Sequence, residues 1–389
     1  MKVLVLHNHY REYGGESAVF AAETELLRAA GHTVHLWEQD SRAVDTYTLR
    51  QKIAFFPKTL YNSQAYRALR TLVERERPDV AHIHNVFPLF SPSVYRALDD
   101  AGIPMVQTIH NFRFLCPNGL FYTHGQICER CAHGNTLHAV RYRCYRQSGT
   151  LSGLYALSIG AHRAAGTFNR IDRVVALTEF GATKLKQYRL FEPQKISVLG
   201  NFLPDPLPQP VFDKSGTAYI AYLGRISPEK GLQTLLQASA LYPQIPVKIA
   251  GGGEALAALQ QSARHLPQVD FVGYLQGDEK ITFLQNALLV VMPSTCYEMF
   301  GITALEAMAC GTPVVASNLG GLASLIDHNH TGLLFSPANA SSLTQQIQLL
   351  HQNPRYATQL AKAARQYLEK NFTAGEHLKQ LVAIYHKTI

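Results

Sequence analysis

The feature that most constrains the fold of this chain is an alternation of short β-branched segments with helical patterns, which runs through its first half and then begins again. Short strands that alternate with helices are typical of a parallel sheet covered by helices on both faces. The strands predicted in the first half are Lys2–Leu6, Thr33–Trp37, Val80–Ile83, Met105–Ile109 and Arg173–Leu177. The helices predicted between them include Ser17–Ala30 and Ser93–Ala101.

The second round of alternation follows a linker, Gly200–Lys214, that contains four prolines. Its predicted strands are Ala218–Leu223, Val247–Ala250, Asp270–Val272, Leu288–Met292 and Pro313–Ala316. Its predicted helices are Gly231–Leu241, Glu254–His265, Gly301–Cys310, Ala340–Gln352 and, at the end of the chain, Ala374–His386. The predicted fold class is α/β, with two Rossmann-like, doubly wound domains that face each other across a cleft at the carboxyl ends of their strands.

The length of 389 residues is too great for one ordinary hydrophobic core, so more than one domain is expected. The predicted segments are an N-terminal domain at 1–200 with a cysteine-rich loop at 111–147, a linker at 201–215, a C-terminal domain at 216–370, and a terminal helix at 371–389. We predict that this terminal helix returns to the N-terminal domain.

Composition and hydropathy exclude two classes of protein. Apolar residues make up 47% of the chain and charged residues 16%, which is typical of a globular protein and not of a disordered one. No apolar run reaches the roughly 18 residues of a membrane-spanning helix. The first residues do not follow the pattern of a secretory signal. We therefore expect a cytoplasmic protein with reduced thiols.

The net charge of +8 is concentrated in the middle of the chain. Residues 101–200 contain 12 lysines and arginines against four aspartates and glutamates, whereas the charges on either side balance. A local basic field suits an anionic partner, such as a membrane surface or a phosphorylated acceptor. The alternative is a solvated basic face without a partner. No nucleic-acid-binding motif accompanies the charge, so no nucleic-acid partner is expected.

Two motifs of the second half place cations or glycines at the carboxyl end of a predicted strand. In Gly224–Gly231 (GRISPEKG), Arg225 can bind two phosphate oxygens at once and Lys230 adds a point charge. Gly251–Glu254 (GGGE) follows the next strand, where glycines permit the close approach of a base or a phosphate. Each motif taken alone is equally compatible with an ordinary turn.

The third motif, Pro293–Pro313 (PSTCYEMFGITALEAMACGTP), joins a polar loop to a helix that begins near Gly301. Free backbone amides at a helix start can bind an anion. Glu298 lies in the loop and Glu306 in the helix, where carboxylates suit the hydroxyls of a sugar or a ribose. The alternative is that Glu298 caps the helix and Glu306 faces solvent. Asn318–Gly321, after the following strand, predicts only a turn.

Together these motifs resemble those of glycosyltransferase family 4, a large group of retaining enzymes with the GT-B fold. The resemblance is specific over Tyr222–Phe335, where GRISPEKG precedes EMFGITALEAMACGTPVVAS. In the first half it is looser and rests on Tyr13-Gly14-Gly15-Glu16, His82-x-His84-Asn85 and His110-Asn111-Phe112-Arg113. It implies transfer of a sugar from a nucleotide-diphosphate donor, such as a UDP-sugar or GDP-sugar, to a carbohydrate or lipid-linked acceptor in polysaccharide, lipopolysaccharide or glycolipid synthesis.

The resemblance also implies roles for individual residues, with the donor on the C-terminal domain and the acceptor on the N-terminal domain. Arg225 and Lys230 would neutralise the diphosphate. Glu298 would hold the hydroxyls of the donor sugar, and His110 would help to position that sugar. The other implied donor-binding residues are Gly14, Gly15, Gly224, Gly252, Gly273, Tyr274, Leu275, Phe300, Gly301, Ile302 and Glu306. The implied mechanism is front-side attack, in which the leaving phosphate accepts the proton and neither a protein nucleophile nor a catalytic metal or other cofactor is required.

Two other functions are compatible with the same fold. One is another GT-B reaction, such as that of a sugar-nucleotide epimerase or a phosphorylase, although no motif for a pyridoxal-phosphate lysine is recognised. The other is non-catalytic binding of a nucleotide sugar. A protein of that kind would be expected to lose His110, Lys230 or Glu298, and all three are present.

Four of the six cysteines, Cys116, Cys128, Cys131 and Cys144, lie within 29 residues. This number and the Cys-x2-Cys spacing make them a candidate structural zinc site. Free thiols and disulfides are the alternatives, and a reducing cytosol disfavours disulfides.

The basic run Arg141–Arg146 and the apolar segment Leu151–Phe168 follow the cysteines. They suggest peripheral contact with an anionic membrane, near a lipid-linked acceptor. The alternative for the apolar segment is a core helix.

Overall fold

The computed structural model describes residues 1–10, 14–214 and 219–389, which form two compact units. The first unit comprises residues 1–123, 128–200 and 377–389. The second unit comprises residues 124–127 and 201–376. Four positions used in the sequence analysis, Tyr13, Ser215, Gly216 and Ala218, lie outside the described residues.

The first unit contains a six-stranded parallel sheet. The first eight strands of the chain are β1 (Lys2–His9), β2 (Thr33–Asp40), β3 (Val80–Asn85), β4 (Met105–Ile109), β5 (Tyr122–Thr123), β6 (Gln126–Ile127), β7 (Arg173–Ala176) and β8 (Ile196–Val198). The sheet has the order β2-β1-β3-β4-β7-β8, and the two-residue strands β5 and β6 pair outside it. The chain therefore changes direction across the sheet between β1 and β3.

Helices connect these strands, as βαβ units require. They are α1 (Gly15–Ala29), α2 (Leu49–Leu60), α3 (Ser63–Glu76), α4 (Ser93–Asp99), α5 (His138–Arg141), α6 (Gly149–Ala164) and α7 (Glu179–Gln187). The apolar segment at Leu151 belongs to α6, which buries Tyr155, Ala156 and Ile159, so this face of the segment packs as a core helix. The predicted loop at 111–147 is more ordered than expected, because it contains β5, β6 and α5.

The second unit contains another six-stranded parallel sheet, with the order β11-β10-β9-β12-β13-β14. Its strands are β9 (Ile220–Leu223), β10 (Val247–Ala250), β11 (Val269–Gly273), β12 (Leu289–Met292), β13 (Val314–Ser317) and β14 (Leu333–Phe335). Its helices are α8 (Leu232–Leu241), α9 (Leu256–Ser262), α10 (Gly277–Gln285), α11 (Ile302–Ala309), α12 (Gly320–Leu325), α13 (Ala340–Gln352) and α14 (Pro354–Asn371). The chain changes direction across this sheet between β9 and β12.

The last helix, α15 (Ala374–His386), has most of its length in the first unit. Its apolar residues Leu381, Ile384 and Tyr385 are buried in one core cluster with Val3 and Val5 of β1. Burial of apolar surface at about 25 cal/mol per Å² is the main force that holds such a helix on a sheet.

All ten predicted strands overlap observed strands, and the helix predictions at Ala340–Gln352 and Ala374–His386 are confirmed to the residue. The prediction of a mere turn at Asn318–Gly321 is wrong, because Gly320 and Gly321 begin helix α12. Among the described residues, no helix combines the length and the hydropathy needed to cross a bilayer.

Candidate functional site

The predicted donor residues of the second unit gather where its sheet changes direction. Lys230 follows β9 and Glu298 follows β12, and these two strands are neighbours in the sheet. In open parallel sheets, ligands bind beyond the carboxyl ends of the strands at this topological switch point. The arrangement makes this edge the candidate site of the second unit.

The centre of this edge is an ion pair between Lys230 and Glu298. Lys230 Nζ donates to Glu298 Oε1 at 2.5 Å, and Ser294 Oγ donates to the same oxygen at 2.6 Å. The side chains are 23% and 16% exposed, respectively, so the pair is largely removed from water. Because both of these contacts use Oε1, the second carboxylate oxygen remains for a hydroxyl of a ligand.

The pair shifts the pKa values of both partners toward the charged forms. Burial would raise the pKa of Glu298, but the charge of Lys230 and the hydrogen bonds from Lys230 and Ser294 lower it below its usual value. Burial would likewise lower the pKa of Lys230, but the charge of Glu298 outweighs that effect and raises it. Both groups are therefore charged around neutral pH.

Arg225 is the more accessible cation of the site. Its guanidinium Nη2 donates to Glu229 Oε1 at 2.9 Å, and its side chain is 48% exposed whereas that of Glu229 is 7% exposed. Ser227 Oγ donates to the same oxygen of Glu229 at 2.7 Å. Glu229 therefore orients Arg225, while the exposed part of the guanidinium remains able to bind an anion.

Three predicted glycines, Gly224, Gly252 and Gly273, lie at the carboxyl ends of the neighbouring strands β9, β10 and β11. Their loops are joined by backbone hydrogen bonds from Gly224 N to Ala250 O, from Ile226 N to Gly252 O and from Gly251 N to Gly273 O. A Cβ added at Gly252 or Gly273 would meet no atom within 4 Å. These two positions therefore border open space.

The implied donor-binding residues Tyr274 and Leu275 lie just beyond β11. Tyr274 is 67% exposed, and Leu275 is half-buried beside it. Such a surface can take the flat face of a base.

The helix predicted at Gly301 is confirmed as α11, with Gly301 as its N-cap and Ile302 as its first residue. The ring of Phe300 is buried, and it packs edge-on against Phe372 with ring centroids 5.7 Å apart. The side chain of Phe300 therefore belongs to the core of the second unit.

Glu306 lies on α11, and its carboxylate has a partner that the sequence did not reveal. Lys280 Nζ, from α10, donates to Glu306 Oε1 at 2.6 Å, and the glutamate side chain is 18% exposed. The alternative of a solvent-facing Glu306 is therefore wrong. The alternative that Glu298 caps a helix with its side chain is also wrong, because Gly301 is the N-cap and no side chain caps α11.

The helix that replaces the predicted turn supports the loop of Glu298. Gly321 N donates to Glu298 O at 2.7 Å. A Cβ added at Gly321 would lie 2.6 Å from Met299 O. Only glycine fits at position 321, and its backbone amide supports the loop that contains Glu298.

In the first unit the predicted residues follow β1 and β4, at the carboxyl edge of the sheet. Gly14 is the N-cap of α1 and Gly15 is its first residue, and Gly14 has open space around the position of a Cβ. Tyr13 of the same motif lies outside the described residues. His110 directly follows β4, and its Nε2 lies 2.9 Å from Nδ1 of His84.

Behind His110 the structure places a buried carboxylate that sequence reasoning missed. Glu23 of α1 is 3% exposed and contacts His82, His84 and His377. In the described part of the chain, the group of metal-ligating side chains whose ligand atoms all lie within 4.8 Å is Glu23, His82 and His84. The sequence contained an indication of this carboxylate, because Glu23 occupies a position that faces the core in the helix predicted at Ser17–Ala30.

A second buried carboxylate, Glu16, lies at the start of α1. Burial raises its pKa to about 8, although the charge of Arg113 and a hydrogen bond from Asn111 act in the opposite direction. Arg113 is itself buried, among the rings of Tyr145 and Tyr155 at 5.4 and 5.0 Å. The side chains of Glu16 and Arg113 are therefore enclosed close to the candidate site of this unit.

The four clustered cysteines line one small cavity of about 10 Å³, together with Asn118, Thr123 and His138. All six cysteines of the chain are free thiols, so the disulfide alternative is wrong in this structure. Burial raises the pKa of Cys131 to about 12, with further contributions from the charges of Cys116 and Cys144. The four sulfurs are not drawn together to within 4.8 Å of one another, as ligands of a common ion would be.

Comparison with solved structures defines the class of fold. The complex of Anabaena Alr3699/HepE with UDP-glucose superposes with a TM-score of 0.72 at 19% identity, over 100% of both chains. Sucrose-phosphate synthase from Thermosynechococcus elongatus gives a TM-score of 0.73 at 20% identity, over 100% of this chain and 99% of the other. The two parallel-sheet units thus have the GT-B fold, as predicted.

Family models then identify the group. The description Glycosyltransferase Family 4 matches residues 13–205, and Glycosyl transferases group 1 matches residues 207–367. The chain therefore belongs to the group 1 glycosyltransferases of family 4, which confirms the resemblance seen in the sequence. Glycogen synthase of Mycobacterium tuberculosis is 36% identical over 166 residues, or 41% of this chain. That match spans 40% of the relative's length.

Proposed function

We propose that this protein is a retaining glycosyltransferase that moves a sugar from a nucleoside-diphosphate donor to a carbohydrate or lipid-linked acceptor. The observation that carries the proposal is the pairing of Lys230 with Glu298 at the switch point of the second sheet, beside the exposed Arg225. A cation for phosphate and a carboxylate for hydroxyls, side by side, match the two ends of a sugar phosphate. The UDP-glucose that Alr3699/HepE binds makes a UDP-sugar the first donor to test.

The chemistry proposed for the second unit is stabilisation of the leaving diphosphate. Arg225 binds phosphate oxygens through the exposed part of its guanidinium, and Lys230 supplies a second positive charge. The free amides at the start of α11, from Phe300 to Ile302, add partial positive charge. Preorganised charge of this kind stabilises a transition state without a metal, because the dipoles are already in place.

The same proposal assigns the hydroxyl groups of the donor. Glu298 is held by Lys230 and Ser294 through Oε1, so its other oxygen accepts from the sugar hydroxyls. Glu306, oriented by Lys280, accepts from the ribose hydroxyls. The base lies along Gly273 and Tyr274. The leaving phosphate takes the proton of the attacking hydroxyl, so no protein base is required.

For the first unit we propose the acceptor side of the reaction, with Gly14 and Gly15 near the diphosphate and His110 at the donor sugar. The glycines lie beyond the carboxyl end of β1 and His110 lies beyond that of β4, at the same edge of the sheet. That placement supports a role in positioning the reacting groups, which is the main catalytic contribution expected without covalent chemistry.

The first experiment is a thermal-shift panel with UDP, GDP, ADP and their common sugars. A ligand at 100 times its dissociation constant stabilises the folded state by about 2.7 kcal/mol, which is readily measured. A shift with one nucleotide family, followed by release of that nucleoside diphosphate in the presence of acceptor and retention of the anomeric configuration in the product, supports the proposal. Binding without any turnover favours the non-catalytic alternative. Absence of any shift contradicts a donor site.

We further propose that the four clustered cysteines hold a structural zinc ion. They line the same cavity, no disulfide joins them, and four thiolates are a common ligand set for structural zinc. The raised pKa values of Cys116, Cys131 and Cys144 show that burial opposes free thiolates at this place. A bound cation would reverse this preference and draw the sulfurs together.

We also propose that the first unit contacts an anionic membrane. Arg141, Arg143 and Arg146 are exposed, as are the large apolar side chains of Leu137 and Leu157. Exposed arginines beside exposed leucines suit a surface of anionic lipid headgroups. Co-sedimentation with phosphatidylglycerol vesicles, but not with phosphatidylcholine vesicles, is expected, and replacement of the three arginines by glutamine should abolish it. If the wild-type protein and the triple variant sedimented equally with phosphatidylglycerol vesicles, the proposed contact would be contradicted.

A further inference from the structure

The carboxylate of Glu23 lies at the centre of a buried cluster of three histidines in the first unit. Its Oε1 lies 2.9 Å from His82 Nδ1 and 3.2 Å from His84 Nε2, and its Oε2 lies 3.0 Å from His377 Nε2. One carboxylate thus connects α1 with β3 and with the C-terminal helix α15. Distances of about 3 Å bring the three imidazole rings into direct contact with the carboxylate.

His377, from α15, contacts this carboxylate directly. Its Nδ1 lies 3.0 Å from the carbonyl oxygen of Gly200, and its Nε2 lies 3.0 Å from Glu23 Oε2. Burial would raise the pKa of Glu23, but the neighbouring His82 and His84 and a hydrogen bond from His377 lower it well below its usual value. Glu23 is therefore ionised.

The ionised Glu23 fixes the tautomer of His84. The Nε2 of His84 is buried and has no hydrogen-bond partner in the described residues, and the acceptor nearest in the cluster is Glu23 Oε1 at 3.2 Å. A proton on Nε2 would be attracted by the carboxylate, whereas a lone pair there would be repelled. Burial and the charge of His82 keep the ring neutral by lowering the pKa of His84. A neutral His84 therefore carries its lone pair on Nδ1.

His84 in turn contacts His110. Its Nε2 lies 2.9 Å from Nδ1 of His84, and the two rings are nearly parallel. Since Nδ1 of His84 has a lone pair, Nε2 of His110 must donate. Burial holds the pKa of His110 well below its usual value, and the neighbouring His84 acts in the same direction, so the ring is neutral. The remaining lone pair of His110 then lies on Nδ1.

We propose that Glu23 and His84 are positioning residues that fix His110 as a neutral imidazole with its proton on Nε2 and a lone pair on Nδ1. In this state His110 can accept a hydrogen bond from a sugar hydroxyl but cannot donate one from Nδ1. The identity of that hydroxyl rests on the proposed glycosyl transfer, whereas the proton arrangement does not. The other titratable groups that face these contacts between Glu23, His84 and His110 are His7, His82 and Tyr385.

The test is two-bond ¹H–¹⁵N correlation spectroscopy of protein labelled with ¹⁵N-histidine. His110→Gln identifies the signals of His110 by their loss. In the wild-type protein we expect the pattern of a neutral ring protonated on Nε2 at pH 6 to 8. In Glu23→Gln, the new amide can donate to Nε2 of His84, which reverses the tautomer of His84 and in turn that of His110. The matched control, Glu38→Gln, breaks the exposed pair with His9 at 2.8 Å and should leave His110 unchanged.

A wild-type His110 that is charged, or protonated on Nδ1, would overturn the proposal without any variant. An unchanged His110 pattern in a folded Glu23→Gln protein would do the same. If that variant does not fold, His84→Phe keeps a ring but removes the acceptor, and His110 should then show both tautomers. Where turnover is measurable, we expect Glu23→Gln to lower kcat tenfold or more and to change the KM of the donor less than twofold. Absence of turnover would count against the proposed function and leave the spectroscopic result intact.

Discussion

Lys230 and Glu298 are separated by 68 residues in the sequence, yet Nζ of one lies 2.5 Å from Oε1 of the other. The contact forms because β9 and β12 are neighbours in the sheet, so that the loops that follow them meet at its carboxyl edge. Each residue supports the charged state of its partner, and this has consequences for both turnover and stability.

Replacement of Glu298 by alanine is expected to lower turnover by about 100-fold, because a hydroxyl contact made at the reacting sugar is lost. Donor affinity should change far less. The folded state should lose about 3 kcal/mol, since Lys230 is left largely buried without its partner. Initial rates and chemical denaturation measure the two effects. Glu254→Ala, which also removes a carboxylate from this edge of the sheet, is the control, and equal kinetics in both variants would refute the assignment.

Replacement of Glu306 by alanine is expected to weaken the binding of the donor nucleotide about tenfold, because the ribose hydroxyls lose their acceptor. The thermal shift produced by the nucleotide should shrink accordingly. Glu279→Ala removes an exposed carboxylate from the neighbouring helix α10 and serves as the matched control. If the two variants bind the nucleotide equally well, Glu306 does not contact the ribose.

Two glycines of the second unit should respond differently to alanine. At Gly231, which has φ of +68°, a Cβ would lie 2.0 Å from Pro293 O, so Gly231→Ala should destabilise the protein by about 3 kcal/mol or more. At Gly252 a Cβ meets nothing within 4 Å, so Gly252→Ala should melt like the wild type. We expect it nevertheless to weaken donor binding, because the methyl group occupies space proposed for the ligand. Wild-type affinity in Gly252→Ala would contradict that placement.

The pH dependence of stability should reveal Glu16. Its pKa is about 8 in the folded protein against a usual value of 4.5, so in this range the unfolded chain is ionised while the folded chain keeps the proton. The contribution of Glu16 to the free energy of unfolding is therefore largest below pH 4.5. It falls as the pH rises and becomes constant above pH 8. Glu16→Gln should therefore be more stable than the wild type by roughly 2–4 kcal/mol at pH 8, and equally stable near pH 4.5.

The melting temperatures of both proteins at several pH values test this. Glu25→Gln, on the exposed side of the same helix, is the control and should follow the wild type throughout. A Glu16→Gln protein that is less stable than the wild type at pH 8 would mean that the ionised carboxylate is stabilised in the folded state.

Metal analysis tests the cysteine cluster. Protein purified from zinc-containing medium should hold about one zinc ion per chain, and Cys128→Ser combined with Cys131→Ser should remove it and lower the melting temperature. Cys310→Ser, which changes a buried cysteine of the second unit, should keep the metal. Equal zinc content in all three proteins, or none in the wild type, would refute the zinc site.

Much of the fold could be predicted from local patterns. Most strand segments are rich in β-branched residues, several adjoin glycine or proline, and the helices have an apolar face, so each element is encoded within a few residues. The second-unit motif was also readable, because Glu298, Gly301 and Glu306 lie within nine residues of one another. Helix α12 was missed, since a Gly–Gly pair locally indicates a turn, and only packing against the Glu298 loop makes it a helix start.

The amino-acid sequence by itself determined the two rounds of strand and helix, the family, and the residue types that can bind a diphosphate and sugar hydroxyls. The tertiary structure alone decided which of these groups meet. The pairing of Glu306 with Lys280 and the chain from His377 through Glu23 and His84 to His110 join residues up to 354 positions apart. No local pattern encodes such contacts, because they depend on the order of strands in a sheet and on where the last helix packs.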